Sequence, residues 1–412
     1  MTASAPAQAA PEGSTPFIVV LNCGSSSIKF GLFEAGSGEP AREPAWGGKV
    51  QGIGRPGGTW EVSGQPVEAI DLSGADPYHA ALELIRSRTL EWLGQRPLAA
   101  VAHRVVHGGG KYWEPVRIDA HVLEDLRGLI PLAPLHQPFA LEAVDILLSQ
   151  RPDLPQVACF DTAFHHTLPQ VEQMLPLSWA AWQRGLRRYG FHGLSYEYMA
   201  TRLAELHGHD DAATSRTIVA HLGSGASLCA MHGLKSMATT MGFSALDGLM
   251  MSTRTGALDP GAVIYLMEIE KLGLEEVGHA LYHDSGLYGI SGISGDPRAV
   301  QAHEGDADEV GERARAAMAL YVRRIVREMG ALAAVLEGVD RIVFTAGIGE
   351  HNADLRARVC ADLAWLGVEL DAEANAANAP CISTRASRVQ VEVEPTNEEW
   401  VAARHAWRVI SG

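Results

Sequence analysis

Four charged or titratable residues stand where an apolar run would not place them. Arg104 ends the stretch "LAAVAHRVV", Asp161 closes "VACFD", His192 sits in "RRYGFHG", and Arg254 interrupts "LMMSTRTG". Burying an unpaired charge is costly, so each needs a partner or a site open to ligand. A structural Arg104–Asp161 salt bridge would answer the need for two of them, and His192 would serve equally as a satisfied core histidine. The alternative is chemistry on an anion, because planar guanidinium forks bind carboxylates and phosphoryl groups bidentately.

Glycine turns point the same way. Gly24–Ser27, Gly223–Gly225 and Gly347–Gly349 each follow an apolar run. Such turns expose successive backbone N–H groups, which bind anions and phosphate in particular. Any one of them is equally a plain tight turn. Three together favour a polyphosphate ligand. The familiar nucleotide signatures do not supply it: no G-x-x-x-x-G-K-[ST] occurs, and "GIGRPG" (Gly52–Gly57) is followed by strand and turn residues where a dinucleotide fold needs a helix. His103 and His107 have the spacing of a zinc helix, yet "HRVVHGGG" reads as strand then turn and lacks the activating glutamate. No G-x-S-x-G elbow is present.

The elements that must position these residues are legible from periodicity. Apolar runs Ile18–Leu21 and Ile28–Phe33, the latter carrying Lys29, read as a hairpin, with further short strands through residues 44–67. His79–Leu93 has helical spacing, Leu98–Val106 returns to strand, Pro138 opens a helix over Phe139–Leu148, and Leu154–Phe160 is a strand. "TIVAHLGSGASLCAM" (Thr217–Met231) repeats the opening hairpin about 200 residues later and suggests internal duplication. A helix over Glu312–Leu336, a strand running into a glycine turn over Arg341–Gly349, a helix from Asn352 to Leu366, a strand near Val389–Val393 and a helix from Asn397 complete the reading. Mixed elements with a duplicated hairpin predict two α/β domains facing each other across a cleft.

The bulk numbers agree. A chain of 412 residues suits two or three domains. A net charge of −16, with no long basic run, argues against nucleic acid as a partner. Five cysteines without C-x-x-C spacing suggest neither disulfides nor zinc. Residues 1–16 read as a disordered tail rather than a signal peptide, and no window is long and apolar enough for a membrane span. The expected setting is the cytoplasm, with no membrane partner.

Ten segments in order resemble the acetate kinase (acetokinase) family, of the acetate and sugar kinase, heat-shock protein and actin superfamily. They are "LNCGSSSIKF", "HRVVHGG", "PLAPLHQP", "FDTAFHHTLP", "RRYGFHG", "HLGSGAS", "MGFSALDGLMMSTRTGALDP", "SGISGDPR", "FTAGIGEH" and "PTNEE", running from residue 17 to the C-terminus. The resemblance implies two ribonuclease-H-like (actin-like ATPase) domains around a nucleotide cleft: domain I over 17–161 plus 398–412, domain II over 162–397. It implies reversible transfer of the γ-phosphoryl group of ATP to acetate, giving acetyl phosphate and ADP, with Mg²⁺ or alternatively Mn²⁺. It also implies a homodimer.

Carried over by motif position, Asp161, His192 and Arg254 match the catalytic residues, and Arg104 the arginine that binds the substrate carboxylate. Val106, Leu135, Phe191 and Ala245 match the apolar acetate pocket. Lys29, His221, Leu222, Gly223, Ser224, Gly225, Asp296, Pro297, Arg298, Gly347, Ile348, Gly349, Glu350 and His351 match the nucleotide segments. Asn22 and Glu398 match the residues that hold Mg²⁺ through waters.

Acetate is already ionised at neutral pH, so Asp161 has no proton to remove and is expected to orient an arginine or a metal-bound water. Departures from the pattern are Ala245 for proline, Ser224 and His351 for asparagine, Ser252 for glycine and Tyr196 for histidine. The smaller Ala245 predicts room for another methylene, making a propionate kinase or broader short-chain carboxylate kinase the alternative. A sugar kinase would not need Arg104 and Arg254 together, and a non-enzymatic ATP switch would not need the apolar pocket.

Overall fold

A computed structural model describes residues 15–134 and 136–412. The expected tail at 1–16 lies outside them apart from its last two residues. The chain divides into two compact units, one running to Ala163 and taken up again at Asn397–Gly412, the other spanning Phe164–Thr396.

The first unit carries β1 (Phe17–Cys23), β2 (Ser27–Glu34), β3 (Trp46–Gln51), β4 (Gly58–Val62), β5 (Glu68–Ile70), β6 (Leu98–Val105), β7 (Val116–Arg117) and β8 (Gln156–Phe160) in one sheet, ordered β5-β4-β3-β2-β1-β6-β8-β7. β1 pairs antiparallel with β2 and parallel with β6, and β6 pairs parallel with β8. Because β1 is covered on both sides, its sequence is a nearly unbroken apolar run rather than an alternating one. Phe17, Val19 and Leu21 join Ala81, Leu82 and Ile85 of helix Pro77–Leu93 and Ala140 and Ala143 of helix Gln137–Gln150 in one cluster. Alternation turns the intervening residues to the opposite face, where the C-terminal helix Glu398–Ser411 packs on β1, β6 and β8. The "GIGRPG" stretch is the connection from β3 to β4, with Gly52, Gly54 and Gly57 all at positive φ.

The second unit holds β9 (Arg216–Leu222), β10 (Ala226–His232), β11 (Lys235–Thr239), β12 (Arg341–Thr345) and β13 (Gln390–Val393), ordered β11-β10-β9-β12-β13. Its pairings repeat those of β3-β2-β1-β6-β8: three antiparallel strands, then two parallel ones. The likeness of the two hairpins in the sequence thus extends to whole sheets. Each hairpin turns through three residues, 24–26 and 223–225. The long helix Glu309–Val335 covers the second sheet with Met318, Tyr321, Val322 and Ile325.

Some expectations change in the structure. Gly347–Gly349 is not a turn but part of a short helix, Ala346–His351, begun where Ala346 adopts a φ of +65° and ends the strand. The helix expected over Asn352–Leu366 stops at Asp362, is capped by the Asn352 side chain, and gives way to a 3-10 turn closed by Gly367 at a φ of +90°. Helices Gly193–His207, Pro260–Glu268 and Leu274–His283 had no counterpart in the periodicity reading. None of the five cysteines forms a disulfide. Among the described residues no helix is long and apolar enough to cross a membrane.

Three histidines are buried as neutral rings. The Nε2–H of His103 donates to Gln156 Oε1 at 2.7 Å, His107 Nδ1 accepts from the Gly109 N–H at 2.9 Å, and His165 Nε2 donates to the Phe191 carbonyl at 2.9 Å. Burial pushes each of the three down to about 4. The folded state therefore binds fewer protons than the unfolded chain between that value and the ordinary ~6.5, so stability rises with pH across this window. Each ring's contribution is complete at pH 7 and falls by roughly 2 kcal/mol at pH 5. Thermal unfolding should show a midpoint falling steeply below about pH 6.5, with the three rings still neutral at pH 5 by NMR titration. Charged rings at that pH would contradict the assignment.

Candidate active site

In the first unit the candidate residues gather at the carboxyl ends of three adjacent strands, the usual ligand position in such sheets. Asn22 is near the end of β1, Arg104 near the end of β6, and Asp161 follows β8 directly. The register puts Leu21 level with His103 and Arg104 level with Cys159, so Asn22 and Arg104 stand level and Asp161 lies two residues further along. Arg104 Nε donates to Asp161 Oδ1 at 2.9 Å and Nη2 to Oδ2 at 2.7 Å, a bidentate pair. Its Nη1 donates to Glu398 Oε2 at 3.1 Å. Asp161 is 2% exposed and its own N–H is held by the Val105 carbonyl.

Glu398 opens the C-terminal helix. Asn397 caps that helix, its Oδ1 accepting from the Trp400 N–H at 2.9 Å. Burial raises the Glu398 carboxyl above its ordinary value, against the opposing charges of Arg104 and Lys29. Burial alone would depress Arg104, but Asp161 and Glu398 outweigh it and hold the guanidinium higher than usual. Lys29 projects from β2 opposite Asn22 and is exposed.

In the second unit a histidine pair stacks beside the β9–β10 turn. His192 occupies the left-handed region at a φ of +60° and opens helix Gly193–His207. Its ring stacks on His221, near the end of β9, with centroids 4.2 Å apart. His192 Nδ1 is 2.8 Å from Ser227 Oγ, and His221 Nδ1 is 2.8 Å from Ser195 Oγ. A methyl group on Gly225 would lie 3.3 Å from His192 Nε2 and 3.9 Å from Arg254 Nη1. The hairpin tip, the histidine and the arginine therefore converge, and only glycine leaves the space between them open. Arg254 also donates from Nη1 to the Ala245 carbonyl at 3.0 Å, and burial draws its guanidinium below the ordinary value.

The segments of this unit expected to contact nucleotide adjoin one another. Gly223 N–H donates to the Gly225 carbonyl, and the Ser224 carbonyl accepts from Ser252 N–H. Ser252 also lies against Gly295, beside Asp296, where an added Cβ would meet its own at 2.9 Å. Asp296 caps the short helix Pro297–Gln301 and pairs with Arg298 at 2.7 Å on the surface. Gly347, Ile348, Gly349, Glu350 and His351 form the short helix after β12, and Thr345 is level with His221. Leu222 is buried behind the turn.

One residue that the sequence reading missed is Arg356. It is wholly buried and donates from Nη1 to the carbonyls of Gly349 and Glu350, both at 2.8 Å, and from Nε to Asn375 Oδ1 at 2.9 Å. It braces the short helix from behind. No local signal in "ADLRARVC" separates it from the exposed arginines.

The expected acetate-pocket residues divide between the units. Val106 follows β6 in the first, half-buried; Phe191, buried, and Ala245, half-buried, belong to the second. Leu135 lies outside the described residues.

Two α/β units of matched topology, with carboxylate-bound arginine in one and a phosphate-type turn beside histidine and arginine in the other, describe a phosphotransferase of the actin-like class. The comparisons agree. The acetokinase family model matches residues 17–404. An acetate kinase of Rhodopseudomonas palustris is 45% identical over 399 residues, covering 96% of this chain and 98% of its own. The crystal structure of Porphyromonas gingivalis acetate kinase superposes with a TM-score of 0.82 at 36% identity, covering 96% of this chain and 99% of that one. A structure described as a propionate kinase from Francisella tularensis superposes with a TM-score of 0.85 at 32% identity, covering 95% and 98%. The chain belongs to the acetokinase family.

Proposed function

We propose that the protein transfers the γ-phosphoryl group of ATP reversibly to acetate, giving acetyl phosphate and ADP, with Mg²⁺. The observation that carries this reading is Arg104 fixed by Asp161 and Glu398 at the strand ends, in a chain of this family. Three of the five guanidinium N–H groups are used in those bonds, and two remain to hold a carboxylate. Asp161 thereby acts as an orienting carboxylate, and no base is required. An acetate oxygen forms the new bond to the γ-phosphorus while the bond to the β-phosphate bridging oxygen breaks, and ADP leaves with its electrons. Arg254 and the Nε2 side of His192 supply donors for the equatorial oxygens of the moving group, where little covalent help is needed.

The donor set fits Mg²⁺. Glu398 Oε1 is buried without a hydrogen-bond partner, the kind of orphaned carboxylate oxygen a hydrated cation would satisfy. Asn22 would share that role. Mg²⁺, when bound, neutralises charge on the phosphates and positions them. Lys29, the Gly223–Gly225 turn, Asp296–Arg298 and Gly347–His351 are the proposed nucleotide contacts. The proposed setting is the cytoplasm, which suits five cysteines without a disulfide among them.

A homodimer is proposed for the second unit's exposed apolar surface. Helix Pro260–Glu268 buries none of its residues although Ile264 and Tyr265 are apolar, and Ile269 and Leu274 beyond it are also more than half exposed. Such contiguous surface marks an interaction site. Replacing Ile264 and Ile269 with aspartate should convert a dimer to a monomer on sedimentation; an unchanged assembly would move the interface elsewhere.

A hydroxamate assay with acetate, propionate, butyrate and glycerol as acceptors tests the reaction itself. Acyl phosphate should form with acetate and, at a kcat/KM within roughly 10- to 100-fold, with propionate, and Ala245→Pro should lower the propionate-to-acetate ratio. Turnover of glycerol without acetate would overturn the assignment, and negligible propionate activity would refute a widened pocket.

A further inference from the structure

We propose that Tyr196, acting through Ser227, is a positioning residue that fixes the tautomer of His192, so that its Nε2 carries the proton toward the site of phosphoryl transfer. The proposal rests on the reading of His192 given above. Tyr196 stands where the family pattern has histidine, and its side chain is wholly buried in helix Gly193–His207. Its Oη is 2.6 Å from Ser227 Oγ, which is in turn 2.8 Å from His192 Nδ1. Ser227 is itself wholly buried, on β10.

A serine hydroxyl has one proton and so donates to only one of these neighbours. If the phenol donates to Ser227, Ser227 donates to Nδ1, and a neutral imidazole then has its proton on Nε2. The reverse order places the proton on Nδ1 and makes Nε2 an acceptor, of no use to an anionic phosphoryl oxygen. Nε2 is the nitrogen that faces Gly225 and Arg254, so only the first order puts a donor there.

A phenol favours that order because its O–H is a stronger donor and a weaker acceptor than a serine hydroxyl, so it gives its hydrogen bond to Ser227. The other titratable or charged groups around the ring are His221, stacked on it, and Arg254 across Gly225; His165 packs edge-on against Tyr196 at 5.5 Å. His221 is turned to Ser195 rather than to this chain of hydroxyls, and Ser195 accepts from the Thr396 hydroxyl.

The experiment combines kinetics with ¹⁵N NMR of His192 in full-length protein. Tyr196→Phe keeps the ring and its packing and removes one oxygen; Ser227→Ala removes the middle link. Each should lower kcat about tenfold, with the KM for acetate and for ATP nearly unchanged. The double variant should be no slower than the slower single one. In the wild type, ¹⁵N shifts should report protonated Nε2 and unprotonated Nδ1, and either variant should mix the two tautomers. Three results would overturn the proposal: kcat within twofold of wild type in Ser227→Ala, a wild-type ring protonated at Nδ1 alone, or additive losses in the double variant. Loss of His192 function as such would instead leave the tautomer signature intact and abolish dependence on His192→Ala, which separates failure of this proposal from failure of the parent reading.

Discussion

A guanidinium taken out of water must be met by carboxylates, and in the first unit those come from far along the chain. Arg104 pairs with Asp161, 57 residues on, and with Glu398, 294 residues on. Breaking such a buried group by removing one partner costs about 3–5 kcal/mol, because the survivor is left uncompensated. The C-terminal helix is therefore tied to the end of β6 by charge as well as by its apolar packing. The same bonds set the direction in which the guanidinium's remaining N–H groups point, so one interaction would serve both the fold and the proposed substrate carboxylate.

The second unit solves a different problem with related means. Its turn at Gly223–Gly225, the proposed phosphate contact, leaves room for His192 and Arg254, which a side chain at Gly225 would not allow. Short hydroxyl chains hold the two stacked histidines, one through Ser227 and one through Ser195. Arg356, with only neutral partners among the described residues, secures the helix that follows β12. In Arg356 all five N–H groups are bonded, so the buried guanidinium fixes geometry without leaving an orphan.

Much of this was legible in the sequence. The two hairpins showed because β1 and β9 are buried on both faces and their turns are forced to be small. The Arg104–Asp161 bridge was visible as two charges in apolar runs, and the structure shows it as a bidentate salt bridge at the strand ends. Helix Pro260–Glu268 was illegible because its apolar residues run unbroken from Ala262 to Met267, so no periodic stripe marks a helix. The short helix over Ala346–His351 looked like a turn because its glycines mask the winding that begins at Ala346. Tyr196 showed only as a departure from the family pattern and Ser227 carried no signal, since a hydroxyl relay depends on the approach of β10 to helix Gly193–His207 and on no local spacing.

The central claim is that Arg104, oriented by two carboxylates, receives the carboxylate of the substrate. Steady-state kinetics of Arg104→Lys, with ATP affinity measured separately by calorimetry, tests it most directly. Lysine keeps the charge but lacks the planar fork, so kcat/KM for acetate should fall by about 100-fold or more while ATP binding is unchanged. Acetate kinetics equal to wild type would contradict the account.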